Sequence, residues 1–204
     1  SMDGDSPEIE SIVNLSEKHN ALLVVDEAHA LGVIGNKGEG LVQKFQLQGK
    51  VFARIMTFGK GLGCHGSAVL GSNQLREFLI NFCRSFIYTT ALSPHAVATI
   101  FVAYQELNLS QDKIQKLKEN SLYFDNLCLN WNGYIPNNSS IKSIVISGNS
   151  KVKETANFLQ KNGFDVKPIL SPTVPEGQER LRFCLHSYNS KDEIKQVLDL
   201  LANL

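Results

Sequence analysis

Several things are missing from these 204 residues, and each absence narrows the reading. There is no net charge: 20 lysines and arginines balance 20 aspartates and glutamates. A polyanion-binding surface is therefore not the main business of the chain, and no nucleic-acid partner is expected. Cysteine is sparse and scattered. Cys64, Cys83, Cys128 and Cys184 form no Cys-x-x-Cys pair, and no histidine stands at metal-ligand spacing from them. A zinc site or a disulfide framework is thereby excluded; free thiols in a reducing cytosol, and no metal, are the expectation. No apolar run reaches the roughly 18 residues of a membrane span, and no signal-peptide pattern is present. Low-complexity tails and internal repeats are absent too. What remains is an ordinary globular composition, 43% hydrophobic and 20% charged. It can bury a sizeable core in one large domain or two small ones.

In order along the chain, Asp5-Ser6-Pro7-Glu8 reads as a helix start, with Ile9, Ile12, Val13 and Ser16 on one face and an end near His19-Asn20. Ala21 to Val25 is continuously apolar, which suits a parallel strand buried on both faces. Gly32 to Gly40 is loop-like. Val51 to Met56 is a second strand, and Gly66 to Gly71 a third. Asn73 to Cys83 is a helix striped by Leu75, Phe78, Leu79 and Phe82. Phe86-Ile87-Tyr88 is a short strand candidate. Ser93-Pro94 opens a helix to Leu107, and Ser110 to Trp131 is a long amphipathic helix stopped by Asn132-Gly133. The strand–helix–strand–strand–helix order after Ile141 reads as a small α+β domain. The expected division is 1–108 and 109–204.

Two stretches carry chemistry. Asp26-Glu27-Ala28-His29 stands at the carboxyl end of the first strand, where ligands of parallel sheets bind. The same four letters occur in nucleotide-dependent motors, but a GxxxxGK[ST] phosphate loop is absent, so that reading fails. Asp26 can also be a turn cap. Thr57-Phe58-Gly59-Lys60-Gly61-Leu62-Gly63 is a glycine-rich turn between two strands. A lysine there is a phosphate-binding point charge, a Schiff-base amine, or a solvated loop residue. Together, an acid after one buried strand and a lysine after a later one suit pyridoxal phosphate (PLP). The acid keeps the pyridine nitrogen protonated; the lysine forms the imine and moves the Cα proton.

Five stretches in order, SMDGD at 1–5, VVDEAHALGVIG at 24–35, TFGKGLG at 57–63, IYTTALSP at 87–94 and SPTVPEGQERLRFCL at 171–185, resemble the α-oxoamine synthases. These are fold-type-I PLP enzymes, aspartate-aminotransferase-like, that join an amino acid to an acyl-CoA with loss of carbon dioxide. The resemblance implies an α/β fold: residues 1–108 would be the C-terminal part of the PLP-binding large domain, and residues 109–204 the small domain. It implies that Lys60 is the Schiff-base lysine, that Asp26 partners the pyridine nitrogen, and that His29 contacts the ring hydroxyl. Thr57 matches a phosphate ligand and Ser1 a serine that touches the cofactor. Thr89 and Thr90 match hydroxyls offered to the phosphate from a neighbouring subunit, making a cytoplasmic homodimer with shared sites. Arg182 matches the arginine on the amino-acid carboxylate, and Thr173 a threonine on the substrate side. The family's chains are about twice as long, so a C-terminal half is implied, without the aromatic residue that stacks on the ring. Cys64-His65 has no counterpart in the family pattern, and His65 reads as loop decoration.

The stretches at 33–35 and 171–185 look most like the member that joins L-alanine to 6-carboxyhexanoyl-CoA in biotin synthesis. The alternative within the family is condensation of glycine with acetyl-CoA. The alternative from another class is a non-catalytic fragment or partner subunit.

Overall fold

The computed structural model describes residues 1–204, which divide into two compact units. One is Ser6–Ile114. The other is Gln115–Leu204 together with Ser1–Asp5.

In the 6–114 unit the first element is helix α1 (Ile9–Lys18). Ile9 and Val13, one turn apart, are buried against Val42 and Leu47, with Leu23 and Val25 packed alongside. The expected cap from Asp5 or Ser6 is not used. Glu8 holds the cap position without a side-chain bond, one residue after Pro7. The helix ends at His19, and Asn20 takes the left-handed φ of 51° that asparagine tolerates.

Strand β1 (Val24–Asp26) is followed by the short helix α2 (Leu41–Lys44), β2 (Ala53–Thr57) and β3 (Ser67–Gly71). β2 is central, parallel to β1 and antiparallel to β3. The apolar run at 21–25 is not buried on both faces as expected. Leu23 and Val25 face α1, while Leu22 and Val24 are 72% and 51% exposed. Within this chain only one face of β1 is covered, and the strand lies at a sheet edge.

Helix α3 (Asn73–Phe82) starts at Ser72, whose Oγ accepts from the Leu75 amide at 3.1 Å. Phe86-Ile87 is not a strand. It lies in the short helix α4 (Arg84–Ile87), whose Phe86 and Ile87 amides both donate to the Cys83 carbonyl at 2.9 Å. Three apolar residues cannot distinguish the two periods, and here the local helical turn forms. Helix α5 (Pro94–Leu109) is capped by Ser93 with Pro94 in the first turn. Ile100, Tyr104 and Leu107 follow helical spacing and pack on Leu31, Met56 and Phe58.

Helix α6 (Gln111–Cys128) leads into the second unit. There follow β4 (Tyr134–Ile135), β5 (Ile141–Val145), α7 (Asn149–Lys161), β6 (Lys167–Ile169), β7 (Arg180–Cys184) and α8 (Lys191–Ala202). The sheet is antiparallel throughout, in the order β4-β5-β7-β6. Ile144, Leu181 and Phe183 point from it into a core closed by Phe124 and Cys128 of α6, Val152, Ala156 and Leu159 of α7, and Ile194, Val197 and Leu198 of α8. The two-residue strand β4, like the single-turn helix α2, is an element the sequence reading did not assign. α8 opens with a capping box: Ser190 and Glu193 each accept from the other's amide. No helix is long and apolar enough to cross a membrane.

Candidate active site

Because β1 and β2 are parallel, their carboxyl ends lie at the same end of the sheet. The register sets Asp26 opposite Ile55, two residues before Thr57. After β1 the chain turns at once. Asp26 Oδ1 accepts from the Ala28 amide at 2.8 Å, and the Ala30 and Leu31 amides donate to the Glu27 carbonyl. Alternation along the strand splits the acidic pair. Asp26 is exposed and Glu27 fully buried. His29, three residues on, is half-buried. The Thr57 hydroxyl lies 3.5 Å from the Ala28 carbonyl, at the outer limit of a hydrogen bond.

Lys60 sits in a turn closed by three backbone bonds: Phe58 to Gly66, Cys64 to Phe58, and Gly63 to Lys60. Glycine at 61 is a steric necessity. A Cβ there would lie 2.3 Å from the Leu31 carbonyl oxygen. The lysine turn is thus seated directly on the turn that follows Asp26. Lys60 itself is exposed. Asp26, His29, Thr57 and Lys60 are therefore brought to one end of one sheet by strand direction and one backbone contact.

The remaining expected residues lie elsewhere. Thr89 and Thr90 are exposed beyond α4, and the Thr89 hydroxyl donates to the Ser85 carbonyl at 2.6 Å. Ser1, Thr173 and Arg182 belong to the other unit. Ser1 and Thr173 are exposed. Arg182 is on β7, half-buried; its Nε is shielded from solvent and has no hydrogen-bond partner. A donor buried without a partner is costly and rare, and it fits a position that an anionic ligand completes.

Three buried charge pairs escaped sequence reasoning. Arg54 Nε lies 2.5 Å from Glu27 Oε2, with side chains 10% and 1% exposed. Glu27 Oε1 also accepts from the Val42 amide, and an Arg54 Nη2 donates to the Glu39 carbonyl. The pair thus ties β1, β2 and the start of α2 together behind Asp26. Its one signal was an arginine inside the apolar run 51–56. The second pair is Asp3 with Arg180. The third is Lys142, fully buried, whose Nζ lies 2.6 Å from Asp125 Oδ1 and donates to the Asn137 carbonyl. Burial pulls the Lys142 amine below the ordinary lysine range, and the Asp125 carboxylate opposes that. Burial, helped by Asp125, pushes the neighbouring Cys128 thiol up to about 12 and raises the Tyr134 phenol as well.

The fold and these residues can be set beside known proteins. An 8-amino-7-oxononanoate synthase of Emericella nidulans is 38% identical over 213 residues, covering 99% of this chain and 52% of that protein. The crystal structure of 8-amino-7-oxononanoate synthase from Francisella tularensis superposes with a TM-score of 0.87 at 29% identity, over 98% of this chain and 59% of that one. Serine palmitoyltransferase from S. paucimobilis, solved with a bound PLP–myriocin aldimine, gives 0.91 at 25% identity, over 100% and 52%. The chain spans about half the length of the curated relatives it matches. The α/β architecture expected from the sequence is the one observed. The family model for aminotransferase class I and II matches residues 1–201, and with these likenesses running the length of the chain, the protein belongs to the aminotransferase class I and II family.

Proposed function

We infer that the protein is a PLP-dependent acyltransferase that condenses an amino acid with an acyl-CoA, with loss of carbon dioxide. Its reaction is read as that of 8-amino-7-oxononanoate synthase, L-alanine with 6-carboxyhexanoyl-CoA. The observation that carries this reading is the seating of the Lys60 turn on the Asp26 turn, with Gly61 against Leu31. The relatives named for that activity support the choice of substrates.

The residues present fit PLP. Asp26 is exposed at a strand's carboxyl end, with Oδ2 left over after the Ala28 amide takes Oδ1. Lys60 offers an amine and Thr57 a hydroxyl at the same end. When bound, PLP supplies an electron sink for a carbanion at the amino-acid Cα. Lys60 would hold the cofactor through Nζ, and once the amino acid's own amine has replaced it there, the freed Nζ would take the Cα proton. The Asp26 carboxylate would keep a proton on the ring nitrogen. His29 orients the substrate carbonyl, while Thr57, with Thr89 and Thr90 from a second subunit, donates to the phosphate. Ser1, in the segment Ser1–Asp5, would touch the cofactor. Arg182 takes the amino-acid carboxylate in a bidentate pair, which would satisfy its Nε. Thr173 lies on the substrate side.

The test is reduction with borohydride after addition of PLP, followed by peptide mapping. The adduct is expected on Lys60, and an adduct on another lysine overturns the assignment. Turnover of glycine with acetyl-CoA in preference to alanine with 6-carboxyhexanoyl-CoA would move the substrate reading to that pair.

A further inference from the structure

The sheet of the second unit has two faces, and they differ in kind. Residues paired across a sheet share a face. The register sets Ile144 opposite Leu181 and Ser143 opposite Arg182. Ile144, Leu181 and Phe183 face the apolar core. Ser143, Arg180 and Arg182 therefore share the opposite face. Across that face runs the segment Ser1–Asp5, which clusters with this unit.

The strap is held at four points. The Ser143 hydroxyl donates to the Met2 carbonyl at 3.2 Å. Asn137 Nδ2 donates to the Asp3 carbonyl at 2.6 Å. The Asp3 carboxylate pairs with Arg180. Gly4 has a φ of 73°, and a Cβ on it would lie 2.5 Å from the Ile141 carbonyl oxygen, so only glycine lets the strap lie this close. The strap thus bonds Ser143, which stands opposite Arg182, and then Arg180.

Two arginines on one face, about 7 Å apart along the strand, meet one carboxylate. Arg180 is satisfied twice, by Asp3 and by its Nε bond to the Gln178 carbonyl at 2.9 Å. Lys167, opposite Arg182 on β6, is paired with Asp165. Arg182 has a buried Nε without a partner. We propose that Asp3 is a positioning residue that neutralises Arg180, so that Arg182 is the one guanidinium on this face left to take the substrate carboxylate. This rests on the reading of Arg182 given above. Without Asp3, Arg180 becomes a second open guanidinium two residues away, and the carboxylate is shared between two positions instead of being held at one.

The test uses the full-length, PLP-loaded enzyme, with KM measured separately for the amino acid and for the acyl-CoA. Asp3→Asn, which keeps the shape and removes the charge, is expected to raise the amino-acid KM by about tenfold to a hundredfold, while the acyl-CoA KM and kcat move far less. Asp3→Glu should recover most of the loss. The deciding variant is Asp3→Asn combined with Arg180→Met, which removes the competing guanidinium and should bring the amino-acid KM back toward that of the parent. A merely structural pair gives the opposite result, with a lowered Tm, both KM values moved alike, and no rescue by Arg180→Met; that outcome overturns the proposal. If Asp3→Asn does not fold, Asp3→Leu with Arg180→Met replaces the pair by apolar groups, and an amino-acid KM raised tenfold in that variant overturns it too. Arg182→Gln is measured in parallel. If it leaves the amino-acid KM unchanged, the carboxylate reading of Arg182 falls and this proposal with it. If it raises that KM while Asp3→Asn does not, only this proposal falls.

Discussion

Gly61 and the Glu27–Arg54 pair are residues that bind nothing themselves but hold the Lys60 end of the sheet in place. Gly61→Ala sets a methyl group 2.3 Å from the Leu31 carbonyl oxygen, and neither backbone segment is the free end of a flexible side chain. The turn must move, and Lys60 with it. With Lys60 in its proposed role, a displacement of about 1 Å at that amine can cost about a hundredfold in rate. Gly61→Ala is therefore expected to lower kcat by that order while leaving overall stability within about 1–3 kcal/mol, checked by steady-state kinetics and urea unfolding. Arg54→Met leaves the Glu27 carboxylate buried with only the Val42 amide for company. Urea unfolding should show a loss of about 3–5 kcal/mol. Adding Glu27→Leu should recover part of that, but not all, because the Val42 amide then loses its acceptor. A loss under about 1 kcal/mol for Arg54→Met would show that the pair is not the tie it is taken to be.

At the scale of elements, what was legible in the sequence depended on how much of each signal was local. The caps at Ser72, Ser93 and Ser190 act through amides three residues away, and α3, α5 and α8 begin where the sequence placed them. The placement of Lys60 in a glycine turn and of Asp26 at a strand end was legible for the same reason, since both are local features. The apolar run 21–25 was read as buried on both faces, whereas burial of Leu22 and Val24 depends on something outside the pattern itself. Phe86-Ile87-Tyr88 was too short for periodicity to decide. The charge pairs were the least legible, since Arg54 and Glu27, or Asp3 and Arg180, meet only through sheet register across long separations in the chain.

Cys128, on α6, belongs to this scale because its environment is made by α6 and β5 together. Its thiol is raised from 9.0 to about 12 in the fold by burial first and by the Asp125 charge second. Below pH 9 both folded and unfolded chains keep the proton, and the contribution to stability is fully present. Between pH 9 and about 12 the unfolded chain ionises and the folded one does not, so stability falls by up to about 4 kcal/mol. Tyr134 acts in the same sense above its ordinary range. Lys142, lowered by burial, runs the other way: its contribution rises as pH climbs from its lowered value toward 10.5. Cys128→Ala removes one of these three without touching the Lys142–Asp125 pair. The variant should show a visibly flatter decline of unfolding free energy between pH 9 and 12 than the parent. Parallel curves over that range would contradict the assignment.

On the whole molecule the most consequential feature is apolar surface on the 6–114 unit. Phe82 is 69% exposed and Phe101 63%, with Val97, Val102, Phe78, Leu22 and Val24 exposed as well. Patches of that kind mark surfaces that another polypeptide covers, and the chain spans about half the length of its curated relatives. The two contexts give opposite predictions for one pair of substitutions. In the 204-residue chain alone, Phe82→Glu with Phe101→Glu removes exposed apolar area and should cost little stability, within about 0.5 kcal/mol per site. It should also reduce association seen by sedimentation at micromolar concentration and reduce binding of a hydrophobic dye. In a longer chain that buries these rings, each substitution loses about 1.5–3 kcal/mol of apolar burial and adds the cost of a buried carboxylate, so the same variant should be strongly destabilised or fail to assemble. A parent chain that sediments as a monomer at tens of micromolar without binding dye would mean these rings need no cover.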